Sequence, residues 1–258
     1  MGSDVPSPTD TGVVTDTGVP LVPAKAGAIT MTATRVMLGM MTINSTNIGG
    51  SFADSTGVVG GCTTQTMGDC QVVTCAGGGS MSRIVSAGDI SIAGGSGGNI
   101  MLMRSAMNAY TFNSMTERLP ANSMLTVTAT GDAMGVPAFS GMVAVPGPIG
   151  LTMPSLTPGG TLTIVRSMPL VLTWSGGAAG RVQVVLSAGA MAPSVTCSFM
   201  AAGATGTVPP SVLMMLPAGN GGIAVTSANR TDVMAGEYRV SLFANTAAGI
   251  PVSRVMFQ

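Results

Sequence analysis

Brief runs of side chains that alternate between apolar and polar constrain this chain more than any other feature. In residues 122–131, Leu125, Val127 and Ala129 fall on one side and Thr126, Thr128 and Thr130 on the other. A period of two puts successive side chains on opposite faces of an extended backbone, so the segment reads as a strand with one dry and one wet face. The pattern recurs with Leu162 and Ile164, with Val182, Val184 and Leu186, and with Tyr238, Val240 and Leu242. Residues 252–258 read as a closing strand. Gly, Pro and Asn punctuate the runs, and long amphipathic helical stretches are missing. The one helix candidate spans residues 208–219. Pro209 and Pro210 suit its first turn, Pro217 and Gly219 its stop, and Val212, Met215 and Leu216 a small apolar face.

The expected fold is therefore all-β, as two β-sandwich modules, the second immunoglobulin-like with one short helix. Pro146, Gly147 and Pro148 mark the boundary between them. Residues 1–28, rich in Pro, Thr, Asp and Gly, read as an extended leader or stalk. Residues 29–148 form the first module, with a cysteine-rich loop, and residues 149–258 the second. About seven or eight strands in the second module match an immunoglobulin-like sandwich. Trp174 then stands at a strand end, placed to pack between two sheets. The cysteine pair of an antibody domain is missing from this module.

Cys62, Cys70 and Cys75 fall close together and Cys197 stands far away. Such cysteines point to disulfides and an oxidising compartment. Three pairings are open. The preferred one joins Cys62 to Cys70 across a turn at Met67–Asp69, and Cys75 to Cys197 as a staple between modules. The alternative for Cys197 is a buried free thiol. Cys70 and Cys75 are an odd offset apart, so on one regular strand they face opposite sides.

Composition narrows the chemistry. Histidine is absent, which removes every His-based triad and His-containing zinc site. The spacing of the clustered cysteines does not suit zinc, so no metal site is expected. Only 8% of residues are charged and the formal net charge is zero, which leaves no basic stripe for nucleic acid. Lys25 is the only lysine, and the Gly-rich stretches 75–82 and 94–99 lack the order of a phosphate loop. Asp89 and Asp132 are the carboxylates placed to converge in the first module, yet turn formation is the ordinary role of Asp beside Gly. Ser175 has no visible base partner. No cofactor is expected; residues 132–135, 88–90 and 229–232 offer candidate loop oxygens for a structural calcium ion. Several of the 22 methionines, Met37, Met40, Met41, Met101, Met103, Met214 and Met215 among them, stand where a strand core would take Leu, Ile or Val, and read as core fillers or as deliberate replacements for labelling.

The start of the chain shows no basic and apolar signal segment, and no apolar run is long enough to span a bilayer as a helix. The sequons at Asn44 and Asn229 read as surface loops.

GCTTQTMGDCQVVTC, followed by VSAGDISIAGG and TVTATGDAMGVPAFSGMVAVPGP, resembles uncharacterised exported or lipid-anchored Gly/Thr-rich β proteins of myxobacteria and related bacteria. VLTWSGGAAGRVQVVL, VTCSF, TGTVPPSVLMMLPAG and AGEYRVSLFA resemble their C-terminal half, so the likeness covers most of residues 55–258. It implies a secreted or bacterial-envelope protein with no catalytic motif to carry over. The chain departs from the pattern by Met at apolar positions, including Met134 and Met142.

The function expected is that of a noncatalytic cell-surface or secreted binding or adhesion protein. Its partner is an envelope protein, a glycan or another copy of itself. The alternative is a self-assembling structural subunit of an extracellular filament, coat or matrix. Under adhesion, residues 62–82 and 94–99 should be exposed loops at one end of the molecule.

Overall fold

A computed structural model describes residues 25–38, 41–55, 62–75, 82–155, 160–177, 179–189, 192–247 and 254–258. The expected leader lies outside these residues except for its last four, which open the first strand. In chain order the first strands are β1 (Lys25–Leu38), β2 (Met41–Asp54), β3 (Cys62–Met67), β4 (Cys70–Cys75), β5 (Arg83–Ile84), β6 (Ile90–Ala93) and β7 (Ile100–Met101). They are followed by β8 (Met103–Arg104), β9 (Tyr110–Ser114), β10 (Met124–Ala129), β11 (Phe139–Ala144), β12 (Ile149–Met153), β13 (Thr161–Ile164) and β14 (Leu170–Gly176). Then come β15 (Arg181–Ser187), β16 (Ser194–Met200), β17 (Thr205–Val208), β18 (Gly219–Ala235), β19 (Tyr238–Ala247) and β20 (Arg254–Phe257). The one α-helix among the described residues, α1, is a single turn over Pro210–Leu213. The prolines start it as expected, but it stops at Met214, short of the expected Gly219.

One long sheet organises the chain, in the order β3-β4-β16-β15-β18-β19-β1-β2-β9-β8, with β5 on β2, β20 on β18 and β13 on β20. Its pairs are antiparallel except β1 with β19 and β13 with β20. Two small sheets pack over it. The sheet β11-β10-β6-β7 covers one part, where Ile92, Leu125 and Val127 meet Ile29, Ile48 and Leu242 in a first core. The sheet β12-β14-β17 covers another, where Leu172, Trp174 and Val208 meet Val184, Val195 and Phe199 in a second. The alternation read from the sequence holds, with Leu162 alone of those inward-facing residues only half-buried. Leu125, Val127, Ala129, Val182, Val184, Leu186, Tyr238, Val240 and Leu242 are all buried. Trp174 stacks on Phe199 across the sheets, ring centroids 6.2 Å apart, and its indole N–H donates to the Ala201 carbonyl at 2.8 Å.

A cut at residues 148 and 149 separates most of the two cores, but each core takes side chains from across it. Cys70 and Val72 lie in the second core, and Ala235, Val240 and Leu242 in the first. The strand β18 enters both, through Val225 at one end and Ala235 at the other. The Pro-rich connector is held against it and against β19. Asn229 Nδ2 donates to the Ala144 carbonyl (2.9 Å), Thr246 Oγ1 to Pro146 (2.9 Å) and Ser227 Oγ to Gly147 (2.7 Å). These bonds satisfy two buried hydroxyls and turn a segment that reads as a linker into a fixed crossing. No described helix is long and apolar enough to cross a membrane.

Candidate binding face

The cysteine-rich segment is a hairpin rather than a loop. Gly68, at φ 61°, opens the two-residue turn between β3 and β4, a conformation that glycine adopts without a Cβ penalty. The pairing puts Cys62 opposite Cys75, and these two form a disulfide. Cys70 lies opposite Cys197 of β16, and these form the second. The preferred pairing, Cys62–Cys70 with Cys75–Cys197, is therefore corrected. The turn sits between Met67 and Cys70, so Cys70 faces Met67 across the hairpin and cannot reach Cys62. Their odd offset does send Cys70 into the second core and leaves Cys75 exposed. No cysteine is free.

Docked in this way, the hairpin extends the outer face of the long sheet. Here the residues that alternate with the buried ones point to solvent. A trough of about 500 Å³ runs over them, across β3, β4, β16, β15, β18 and β19. One row along its floor is Thr66, Gln71 and Thr196, each directly opposite the next. Ser198 and Gln183 form a parallel row. Asp69, exposed on the hairpin turn, stands at one rim. Ala228 of β18 lies opposite Arg181 and also lines the trough, while the Arg181 guanidinium turns the other way, toward Ser198 and Met200 of β16. Arg230 and Phe243, cross-strand partners, close the far end.

The two arginines are held in place. Arg181 donates from Nε to Ser198 Oγ (2.6 Å) and from Nη2 to the Ser198 carbonyl (2.6 Å). Arg230 lies over the Phe243 ring at 5.2 Å, within cation–π range. Its Nε and Nη2 donate to the two carboxylate oxygens of Asp232 at 2.8 and 3.1 Å. Arg239 binds the same carboxylate, and Ser241 Oγ donates to it at 2.8 Å. Partial burial opposes ionisation of Asp232, but the bonds from Arg230, Arg239 and Ser241 outweigh it and hold the carboxyl far below the usual carboxylate range.

The other sequence candidates lie elsewhere. Asp89 and Asp132 are brought near by backbone bonds at the end of the first core, Thr130 N to the Asp89 carbonyl and Gly131 N to the Ala87 carbonyl, both 3.0 Å. Asp132 accepts from the Met134 amide at 3.0 Å, which with Ser86 and the nearby Arg104 lowers its pKa. A general acid needs the opposite shift. Residues 229–232 lie inside β18, with Asp232 taken by arginines, so they supply no calcium loop. Among the described residues no three metal-ligating side chains cluster. Ser175 lies in β14. The Gly-rich segment 94–99 is an exposed turn bound by Arg118, whose guanidinium donates to the carbonyls of Ser96, Gly97 and Gly98. Residues 76–81 lie outside the described residues.

Two surface expectations are corrected. Asn44 and Asn229 lie within strands, not loops, and the Asn229 amide is hydrogen-bonded inward. The methionines are largely on the outside: Met103 is 76% exposed and Met134 77%, and Met101, Met142 and Met214 are exposed too. Alternation explains this, since Met101 and Met103 flank the buried Leu102 and Met142 precedes the buried Val143. Met31 is a true core filler and Met215 packs against the second core. Met37, Met40 and Met41 fall where no side chain is described. The trough residues are the outward half of the alternating runs, whose buried half carries the fold signal. Their own signal is present in RVQVV, where Arg181 and Gln183 alternate with Val182 and Val184.

No protein-family model and no curated protein matches the sequence. Among solved structures, the chain is similar to a Ca²⁺-stabilised adhesin that helps an Antarctic bacterium reach out and bind ice, at 12% identity and a TM-score of 0.22, over 92% of this chain and 66% of that one. It is similar to a four-repeat stretch from the extending region of a large adhesion protein, at 13% identity and TM-score 0.22, over 86% of this chain and 74% of that one. A third is a 1.5-MDa bacterial ice-binding adhesin, at 14% identity and TM-score 0.19, over 83% and 75%. This chain thus spans about two thirds of the first of these. At such TM-scores the chemistry rests on this chain's own residues.

Proposed function

We propose that this chain is a noncatalytic extracellular binding or adhesion protein and that the polar trough on the outer face of its long sheet is the binding surface. The observation that carries the reading is the trough itself, about 500 Å³, floored by outward polar side chains of four strands and lined further by Arg181 and Arg230. Its volume falls in the range of ligand-binding clefts, and polar side chains in such clefts fix a ligand's orientation. The two disulfides suit a secreted or envelope address. The two cores under one long sheet, the second with its buried Trp174, support a pair of sandwich-like modules, the second immunoglobulin-like, that present this face on a rigid base. The partner is an envelope component, protein or glycan.

Binding of the purified, disulfide-intact protein to cell envelopes tests this. Gln183→Trp fills the trough from an outward position. It should abolish saturable binding while leaving the thermal midpoint unchanged. Undiminished binding by that variant removes the trough from the function. The self-assembly alternative draws on β3, which ends the sheet order with its outer edge unpaired among the described residues. It requires concentration-dependent association in sedimentation, and a monomer at all concentrations counts against it.

A further inference from the structure

We propose that the exposed methionines form an oxidant-consuming surface: each thioether takes one oxygen atom from a peroxide and becomes a sulfoxide, which spares the two cores beneath. This stands apart from the trough, which no methionine lines.

Among the described residues the large apolar side chains divide by chemistry. Twelve methionines are more than half exposed, from Met124 at 54% to Met115 at 87%. The other large apolar residues on the outside, Ile43, Ile84, Val165, Val171 and Val185, reach only 36–44%, and no described Leu or Phe is exposed. Alternation decides which positions face water, but it does not call for Met there. On β10, Thr126 and Thr128 share the outward face with Met124. Leu and Met are close in volume and apolar character, so an apolar docking patch would draw on both. Nor do these methionines gather into a patch. They are spread over all three sheets, as at Met142, Met153 and Met234, and over turns, as at Met107 and Met134. What separates Met from Leu is a sulfur that can be oxidised.

Little else on the surface competes for oxidant. Both cysteine pairs are disulfides and none is free. Histidine is absent, and the one tryptophan, Trp174, is buried, as are both tyrosines, Tyr110 and Tyr238. In the reaction the sulfur lone pair attacks one peroxide oxygen. The O–O bond breaks as the S–O bond forms, and the proton on the transferred oxygen passes to the departing one. Sulfur loses two electrons, and hydrogen peroxide is reduced to water. The product is a more polar side chain. At an exposed position its oxygen faces water. Met31 is different, because it lies fully buried in the first core beside Ile29 and Ile48. A sulfoxide there would strand a polar group among apolar ones.

The test treats the full, disulfide-intact chain with rising doses of hydrogen peroxide. Peptide mass mapping follows each methionine and the thermal midpoint follows the fold. Sulfoxide should appear at the twelve exposed methionines. Met31 should react at least ~10-fold more slowly, since it becomes accessible only when the core opens. The midpoint should hold after all twelve are converted. A variant with the twelve changed to Gln should carry several-fold more sulfoxide at Met31 than the parent at the same limiting dose, because nothing on its surface depletes the peroxide. Should that variant fail to fold, Met103→Gln with Met107→Gln and Met115→Gln serves in its place: uptake should fall by those three oxygens, and Met31 should again be oxidised more than in the parent. Three results overturn the proposal: Met31 converted in step with the exposed methionines, a midpoint that falls with the first oxygens taken up, or a folded variant whose Met31 is no more oxidised than the parent's.

Discussion

Asp232 shows how a chain with few charges uses them. Its carboxylate takes hydrogen bonds from Arg230, Arg239 and Ser241 on one exposed strand face, and so fixes the Arg230 guanidinium beside the trough. Its lowered pKa means that the folded state favours the ionised form, so the contribution to stability is complete above the unfolded-state pKa of about 4 and is lost as the pH falls toward the folded-state value. Asp232→Asn should cost about 1 kcal/mol at neutral pH, as expected for a partly exposed ion-pair network. The difference from the parent protein should shrink steadily below about pH 4. Urea unfolding of both proteins across that range checks the sign. A gap that widens in acid contradicts the assignment. None of this is visible in the sequence, because Arg239 and Asp232 become neighbours only through the β18–β19 register.

Among the elements, the β3–β4 hairpin is the piece on which the trough depends. It joins the sheet through β16, buries Cys70 and Val72 in the second core and packs Met67 against it. The Cys70–Cys197 bond closes a separation of 127 residues and Cys62–Cys75 one of 13. By loop entropy the first should stabilise by about 5 kcal/mol and the second by about 3 kcal/mol. Cys70→Ala with Cys197→Ala should therefore lower stability more than Cys62→Ala with Cys75→Ala, and it should also open the trough. The reverse order in denaturant midpoints contradicts this role for the hairpin. Strands were legible from the sequence because alternation is local: Leu125 or Val184 declares its face through its immediate neighbours. Which strands meet was not legible. The placement of β4 beside β16, and so the disulfide pairing, depends on contacts far apart in sequence. The same holds for the trough, whose residues come from six strands.

At the scale of the whole molecule, one sheet underlies both cores and the single strand β18 runs through each. Asn229 and Ser227 of β18, with Thr246 of β19, hold the connector against that sheet. The two halves should unfold together. Leu125→Ala in the first core and Leu172→Ala in the second should each cost about 3 kcal/mol. Each should shift one common calorimetric transition, whereas two transitions moving independently would mean that the halves are separate units. Continuity of the sheet also ties the binding face to the cysteines, since the register of β4 on β16 that pairs Cys70 with Cys197 also aligns Gln71 with Thr196. Non-reducing peptide mapping of the exported protein tests this most directly. Cleavage at Met67 and between Gln71 and Thr74 separates the three clustered cysteines. The fragments should be linked as Cys62 to Cys75 and Cys70 to Cys197; Cys62 linked to Cys70, Cys75 linked to Cys197, or four free thiols would contradict the sheet on which the binding face is built.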